Sequence, residues 1–222
     1  MPLASSPPAD SSPRPRPGGR TARIRDQVLD AVRAELTEHG YDALTVDTVA
    51  ARAGVHRTTV YRRWRDVAGL ITDVFAAASD LDWHPRDTGT LHGDLTALNQ
   101  EIQDSLTEES SIAEALIAVS FRSAAAADAL RQLWEGRYTQ SEIVVERAVR
   151  RGELDPGVDA RALLIAATAP LYHQLILLRT PPDPGLPAHA AATAALAARA
   201  GAFTGTERAA VKPRRRPTSR TD

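Results

Sequence analysis

From Thr21 to Thr204 apolar residues return every three or four positions, and no stretch alternates apolar with polar residues. Returns of that spacing place side chains on one face of a helix, whereas alternation would mark a strand. The chain is therefore expected to be all-α. Ile24, Val28, Ala31, Val32 and Leu36 mark a first helix, opened by Thr21 as N-cap and ending near Gly40. Thr45 caps a short second helix with Val46, Val49, Ala50 and Ala53 inside and Asp47 in the first turn, where the helix dipole favours an anion. A third helix covers His56–Arg63, and a fourth covers Val67–Ser79 with Leu70, Ile71, Val74 and Phe75 on one side. Residues 81–90 read as a loop. Further helices are expected at about Leu91–Leu106, Ile112–Arg122, Ala125–Arg151, Asp159–Leu178 and Ala188–Thr204. The main breaks are RGELDPG at 151–157 and RTPPDPGLP at 179–187, rich in Gly and Pro.

Charge divides the chain more sharply than its net of −1 suggests: +4 over residues 1–65, −9 over 66–205 and +4 over 206–222. A basic front and tail around an acidic body imply that only part of the molecule meets a polyanion. Residues 1–19, mostly Pro, Ser, Gly and Arg, are expected to be a disordered arm, and 206–222 a disordered basic tail. Between them, residues 20–66 form a small helical head and 67–205 a larger helical body. The absence of cysteine excludes disulfides, a thiol nucleophile and thiolate metal sites, and it fits a reducing cytoplasm. No secretory signal is visible at the start of the sequence. The one membrane candidate, 162–178, falls short of the roughly 20 apolar residues a span needs and carries Pro170, His173 and Gln174, so a buried helix is expected.

The segment AGVHRTTVYRRW at 53–64 carries the function. Two short helices around a Gly-containing turn make a helix-turn-helix, whose second helix can enter the major groove of double-stranded DNA. Gly54 suits a turn that requires positive φ. Val55, Val60 and Trp64 face inward, with Ala50 and Leu70 as partners. This leaves His56, Arg57, Thr58, Thr59, Tyr61, Arg62 and Arg63 for solvent or DNA. Arg57 can pair bidentately with guanine, and a threonine methyl can touch a thymine methyl. The hydroxyls of Thr45, Thr59 and Tyr61 and the charge of Arg63 suit phosphate oxygens, which position without specifying.

LTVDTVAARAGVHRTTVYRRWRDVAGLI, residues 44–71, resembles the N-terminal domain of the TetR family of transcriptional regulators. The matching residues are Thr45, Ala53-Gly54-Val55, Thr59-Val60-Tyr61 and Trp64. The likeness covers about residues 20–80 and departs at one place: where the family often has a phosphate-binding lysine, this chain has Val67, and Arg63 or Arg65 could substitute. Two further pieces, DTGTLHGDL at 87–95 and ERAVRRGELDPGVDA at 146–160, resemble one subgroup and imply a ligand-sensing, dimerising body.

Leu163, Leu164 and Ile165 are consecutive and point in three directions, so their helix must be covered on all sides. The alanine-rich 188–203 permits close helix approach. The resemblance implies that helices 159–178 and 188–204 pair with a second copy as a homodimer, reading a palindrome with heads about 34–36 Å apart. The alternative is a core within one chain. The resemblance also implies a small-molecule inducer among the body helices, for which Asn99, Gln103, Phe121, Trp134, Tyr138 and His173 are candidate liners. Ligand would favour the arrangement that cannot bind DNA, and the fourth helix, shared by head and body, is the natural lever. His84, Asp87, His92 and Asp94 match no standard metal spacing and read as a solvated loop. No cofactor is expected, and no nucleophile elbow, phosphate-binding loop or paired metal motif suggests an enzyme. A cytoplasmic bacterial protein associated with the nucleoid, repressing by occluding a promoter, is the resulting expectation. The rival is a helical interaction or DNA-binding protein without a small-molecule inducer.

Overall fold

A computed structural model describes residues 19–79, 83–108 and 111–204; the expected arm and basic tail lie outside these apart from Gly19. The described residues are helical, with α1 Gly19–His39, α2 Val46–Ala53, α3 Arg57–Trp64, α4 Val67–Ser79, α5 Leu91–Thr107, α6 Ile112–Ser120, α7 Ala124–Arg150, α8 Ala160–Tyr172 and α9 Leu186–Arg199. The only pairing of extended backbone among them is an isolated bridge between Val158 and Thr204.

Several boundaries differ from the sequence expectation for local reasons. α1 begins at Gly19, so Thr21 lies within its first turn and does not cap it. α6 stops at Ser120, because Phe121 and Arg122 turn the chain towards Ser123, whose side chain caps α7. Pro170 cannot donate a backbone hydrogen bond, and soon after it the helix widens into a π turn over His173–Leu177. α9 starts earlier than expected because Pro187 is tolerated in a first turn. It ends at Arg199, well short of the expected Thr204, which lies in the bridge to Val158.

Two large cores and a small cluster of Leu171, Leu186 and Ala190 hold these helices. The first joins Val28, Val32 and Leu36 of α1, Val49 of α2, Val60 and Trp64 of α3 and Leu70, Ile71, Val74 and Phe75 of α4 to Leu116, Val119, Ala126 and Ala129 of α6 and α7. The head thus shares its core with part of the body through α4. The second joins Leu91, Leu95 and Leu98 of α5, Val144, Val145 and Ala148 of α7, Leu163, Leu164 and Ala167 of α8 and a stripe of alanines on α9. Ala191, Ala194, Ala195 and Ala198 are buried against the chain's own α5 and α8. The small residues of α9 therefore serve a core within one chain, the alternative reading, while other faces stay open. Ile165 is 44% exposed and Leu196 66%, so the expectation that α8 is covered on every side does not hold for a single copy. Ala160–Leu177 is long and apolar enough to cross a membrane by length and composition, but it packs Leu163, Leu164, Ala167 and Leu171 into the cores.

The two body motifs meet in space as a clamp. Arg147 donates to the carbonyls of Pro85 and Arg86, each at 3.1 Å. Arg151 pairs with Asp94 at 3.2 Å and Glu153 at 2.8 Å. Glu153 accepts the Leu91 amide at the start of α5 and the Arg199 guanidinium, both at 3.0 Å. Asp94 is fully buried and accepts the Thr88 amide at 2.6 Å and its hydroxyl at 2.7 Å. This corrects the reading of His84, Asp87, His92 and Asp94 as a solvated loop: Asp94 is an internal anchor. Among the described residues no group of three or more His, Cys, Asp or Glu could hold a metal.

Candidate nucleic-acid interface and cavity

The head is built to hold α3 by its inner face. Thr45 and Thr48 form a reciprocal cap at the start of α2: Thr45 Oγ1 accepts the Thr48 amide at 3.0 Å, and Thr48 Oγ1 accepts the Thr45 amide at 3.1 Å. Arg52 ties α2 to α1 through Glu35 at 2.6 Å and through Glu38. Gly54 ends α2 at φ 65° and ψ 30°, a left-handed conformation that costs other residues more. The Val55 amide returns to the Ala50 carbonyl at 3.1 Å, closing the turn. His56 then acts as N-cap of α3, its Nδ1 2.8 Å from Thr58 Oγ1, so the helix proper starts at Arg57.

Below the surface Val60 is fully buried and Trp64 nearly so. Trp64 Nε1 donates to Asp73 of α4 at 2.7 Å, and Arg25 of α1 pairs with the same carboxylate at 2.6 Å. One carboxylate thus joins α1, α3 and α4. Burial alone would raise the Asp73 carboxyl, but the hydrogen bonds from Arg25 and Trp64 outweigh it and hold the group below its ordinary value. α4 starts on α3 with no space between them: a Cβ on Gly69 would lie 2.1 Å from the Trp64 carbonyl oxygen. Asp66 accepts the Gly69 amide at 2.9 Å and seats that first turn.

His56, Arg57, Thr58, Tyr61, Arg62 and Arg63 are exposed on α3 and at its cap, Thr59 is half-buried beside the turn, and Thr45 is exposed. Arg57, Thr58, Tyr61 and Arg62 share one helical face. Arg63 lies with its guanidinium 5.1 Å from the Trp64 ring centroid, and Arg65 is exposed at the end of α3 with φ 66°. Val67 is half-buried against the core.

The body holds a cavity of about 220 Å³ between α5, α7 and α8. Trp134, Arg137, Tyr138 and Ser141 of α7 line it, as do Leu98, Glu101, Ile102 and Ser105 of α5. Leu164, Thr168 and Tyr172 of α8 and Trp83 of the loop before α5 complete the wall. Trp134 meets Tyr172 edge-on at 5.2 Å between ring centroids. Arg137 lies over Trp83 at 5.0 Å, and Trp83 Nε1 donates to Glu101 at 2.9 Å. Burial pushes the Tyr172 hydroxyl well above its ordinary pKa, and it pushes the Arg137 guanidinium below its own.

Of the six expected liners, Trp134 and Tyr138 lie on this cavity and four do not. Asn99 is fully buried, and its Nδ2 donates to the Ala167 and Pro187 carbonyls at 3.0 and 3.1 Å, so it braces α5 against α8 and α9. Gln103 is buried away from the cavity. Phe121, 76% exposed at the end of α6, lies in an open groove with Ile165 and Leu177. His173 is exposed on the π turn. The other ten liners were missed by sequence reading, among them Trp83, Glu101, Arg137, Thr168 and Tyr172. The signal for those on α5 and α7 is register: positions 134, 137, 138 and 141 form one helical stripe, as do 98, 101, 102 and 105.

Residues 28–74 match the family described as bacterial regulatory proteins, tetR family, and residues 85–194 match the tetracyclin repressor-like C-terminal domain. The chain is 34% identical over 149 residues to the HTH-type transcriptional regulator AqdR of Rhodococcus erythropolis, covering 66% of this chain and 71% of that protein. It is 32% identical over 158 residues to the DNA-binding transcriptional repressor TetR of Mycobacteroides abscessus, covering 69% of this chain and 83% of that one. Among solved structures, the TetR family transcription regulator SCO0332 superposes with a TM-score of 0.61 at 28% identity, over 78% of this chain and 97% of that one.

Proposed function

This chain belongs to the TetR family of bacterial regulatory proteins, and from that membership we propose that it is a ligand-responsive repressor acting as a homodimer on a palindromic operator. That it is a transcriptional regulator and not an enzyme follows from the family. The observation that carries the finer reading is the division of α3 into two faces. Val60 and Trp64 are held inside, while Arg57, Thr58, Tyr61 and Arg62 stand free on one side. Arg57 and Thr58, at the N-terminal end of the helix, read base edges. Tyr61 and Thr45 meet phosphates, and Arg63 and Arg65 supply positive charge in place of the family lysine at Val67.

The second copy covers the open faces of α8 and α9. Ile165 and Leu196 are large apolar side chains standing in solvent on helices whose opposite faces are already packed, and such exposure supports an interface. Two copies related by a twofold axis place two heads on one operator. The cavity receives a small molecule. Because α4 shares its core with both α3 and α7, a ligand that favours a different seat for α7 re-aims the head. A differential affinity of about 1–3 kcal/mol suffices for regulation. The site of action is the bacterial cytoplasm.

The test is selection of bound fragments from the source genome, followed by a salt titration of the best fragment. A palindrome bound selectively at physiological salt supports the reading. Uniform loss of binding to all sequences as salt rises would leave only nonspecific charge attraction.

A further inference from the structure

The polar groups on the cavity wall are nearly all in use. Ser141 donates to the Arg137 carbonyl at 2.8 Å, Ser105 to the Ile102 carbonyl at 2.9 Å and Thr168 to the Leu164 carbonyl at 3.0 Å. Glu101 accepts Trp83 Nε1 on one oxygen and lies 3.5 Å from Arg86 on the other. Arg137 is the exception. Of its five N–H donors, one reaches an acceptor among the described residues, the Ala78 carbonyl at 3.2 Å, and its flat face rests on Trp83. No described carboxylate lies within ion-pair distance of it. The Tyr172 hydroxyl, also on the wall, is a further donor, as any tyrosine is at neutral pH. The cavity therefore offers donors and the Arg137 charge among Trp83, Trp134, Tyr138 and Tyr172, while its one carboxylate, Glu101, is engaged by Trp83 and lies near Arg86 as well as attracting Arg137.

A guanidinium cannot give up its proton, so its charge is balanced only by an anion, and its fork matches a carboxylate in two parallel bonds. Aromatic walls favour a flat ligand. A volume of about 220 Å³ is small for a ligand site and holds one or two rings.

Resting on the reading of this cavity as the effector site, we propose that it binds a flat aromatic carboxylate whose anion is received by Arg137. The same residue reports the binding. Ala78 lies in the last turn of α4, and Arg137 is the side chain that links the cavity to that turn. A carboxylate in the cavity draws the guanidinium towards itself and away from the Ala78 carbonyl, so the ligand loosens the end of the helix that seats the head.

Calorimetric titration of the full-length dimer with benzoate, phenylacetate and 2-naphthoate, each beside its neutral amide, tests this directly. At least one acid binds about tenfold or more tighter than its amide, the size of a charge-assisted pair of hydrogen bonds. The same acid lowers affinity for the selected operator at least about fivefold. Arg137→Met abolishes the preference and the operator response while keeping amide affinity, and Arg137→Lys retains part of both. Glu101→Gln keeps an acceptor for Trp83 but removes a nearby negative charge, so acid affinity rises; this reads the proposal even if the Arg137 variants fold poorly. Equal binding of acid and amide in every pair, no binding of any acid, or an unchanged preference in Arg137→Met overturns the proposal. If a selective operator is found but no acid is preferred, only the ligand class falls. If no selective operator exists, the regulator reading falls whatever the calorimetry shows.

Discussion

The DNA-facing head and the cavity are both made from helical stripes, yet they are assembled differently. The exposed face of α3 comes from eight consecutive residues, with a cap and a turn directly before it. The cavity wall comes from three helices and a loop, drawing on positions from Trp83 to Tyr172. A site carried by one short helix shows itself in local spacing. A site shared among distant helices depends on how each is rotated, and rotation is set by packing elsewhere.

That contrast predicts that the body fails through its clamp and the head through its seat. Arg151→Ala should have the largest effect. It strips the charged partner from the fully buried Asp94 and one of two from Glu153, which keeps Arg199, and should lower stability by about 3 kcal/mol in chemical denaturation, the low end for a broken buried pair because Arg151 is itself partly exposed. A loss below about 1 kcal/mol would show that the two body motifs do not hold the loop to α5. Gly69→Ala comes next. A methyl there meets the Trp64 carbonyl, so α3 and α4 must separate, costing about 1–3 kcal/mol and weakening operator binding as well. A stable protein with weakened DNA binding would still place the effect in the seat, whereas normal values for both would mean that the contact is soft.

Within the head, Arg57→Ala should cost about 1–3 kcal/mol at one base pair and flatten the preference there, as read by binding to a panel of single-base operator variants. Tyr61→Phe removes the hydroxyl proposed to meet a phosphate and should cost about 0.5–1.5 kcal/mol on all sequences alike. The reverse pattern would exchange the base-reading and positioning roles.

The smallest effect concerns acid. Asp73 has a carboxyl held below its ordinary value, so its contribution to stability is complete above the unfolded pKa near about 3.9 and is lost as pH falls through the lower folded value. Glu153 behaves in the same direction: burial raises its carboxyl, but Arg151, the Leu91 amide and Arg199 together lower it further. Melting temperatures of wild type and Asp73→Asn should therefore converge as pH drops below about 4, by a part of the roughly 1 kcal/mol a partly exposed pair contributes. Parallel curves would assign the acid sensitivity to other groups.

Legibility followed the same division. Thr45 as cap, Gly54 in the left-handed turn and Val60 and Trp64 as the inner face were all readable, because each depends on neighbours within a few residues. The range of α4, Val67–Ser79, was equally plain. Trp134 and Tyr138 could be named as aromatic residues on a body helix, but nothing local distinguished them from Phe121, which is exposed, or from Asn99, which is an internal brace. Nothing in its local sequence sets Arg137 apart from the other arginines; only the packing puts Trp83 and Ala78 beside it.

The amino-acid order by itself determined the helices, the turn between α2 and α3 and which side chains of α3 are buried and which exposed, since periodicity, capping and positive φ are short-range properties of the chain. Tertiary structure alone decided that the two body motifs close on each other, that α9 spends its alanines within its own chain and that Arg137 links a small aromatic cavity to the end of α4. Those outcomes require residues many positions apart to meet, and only the packing of whole helices brings them together.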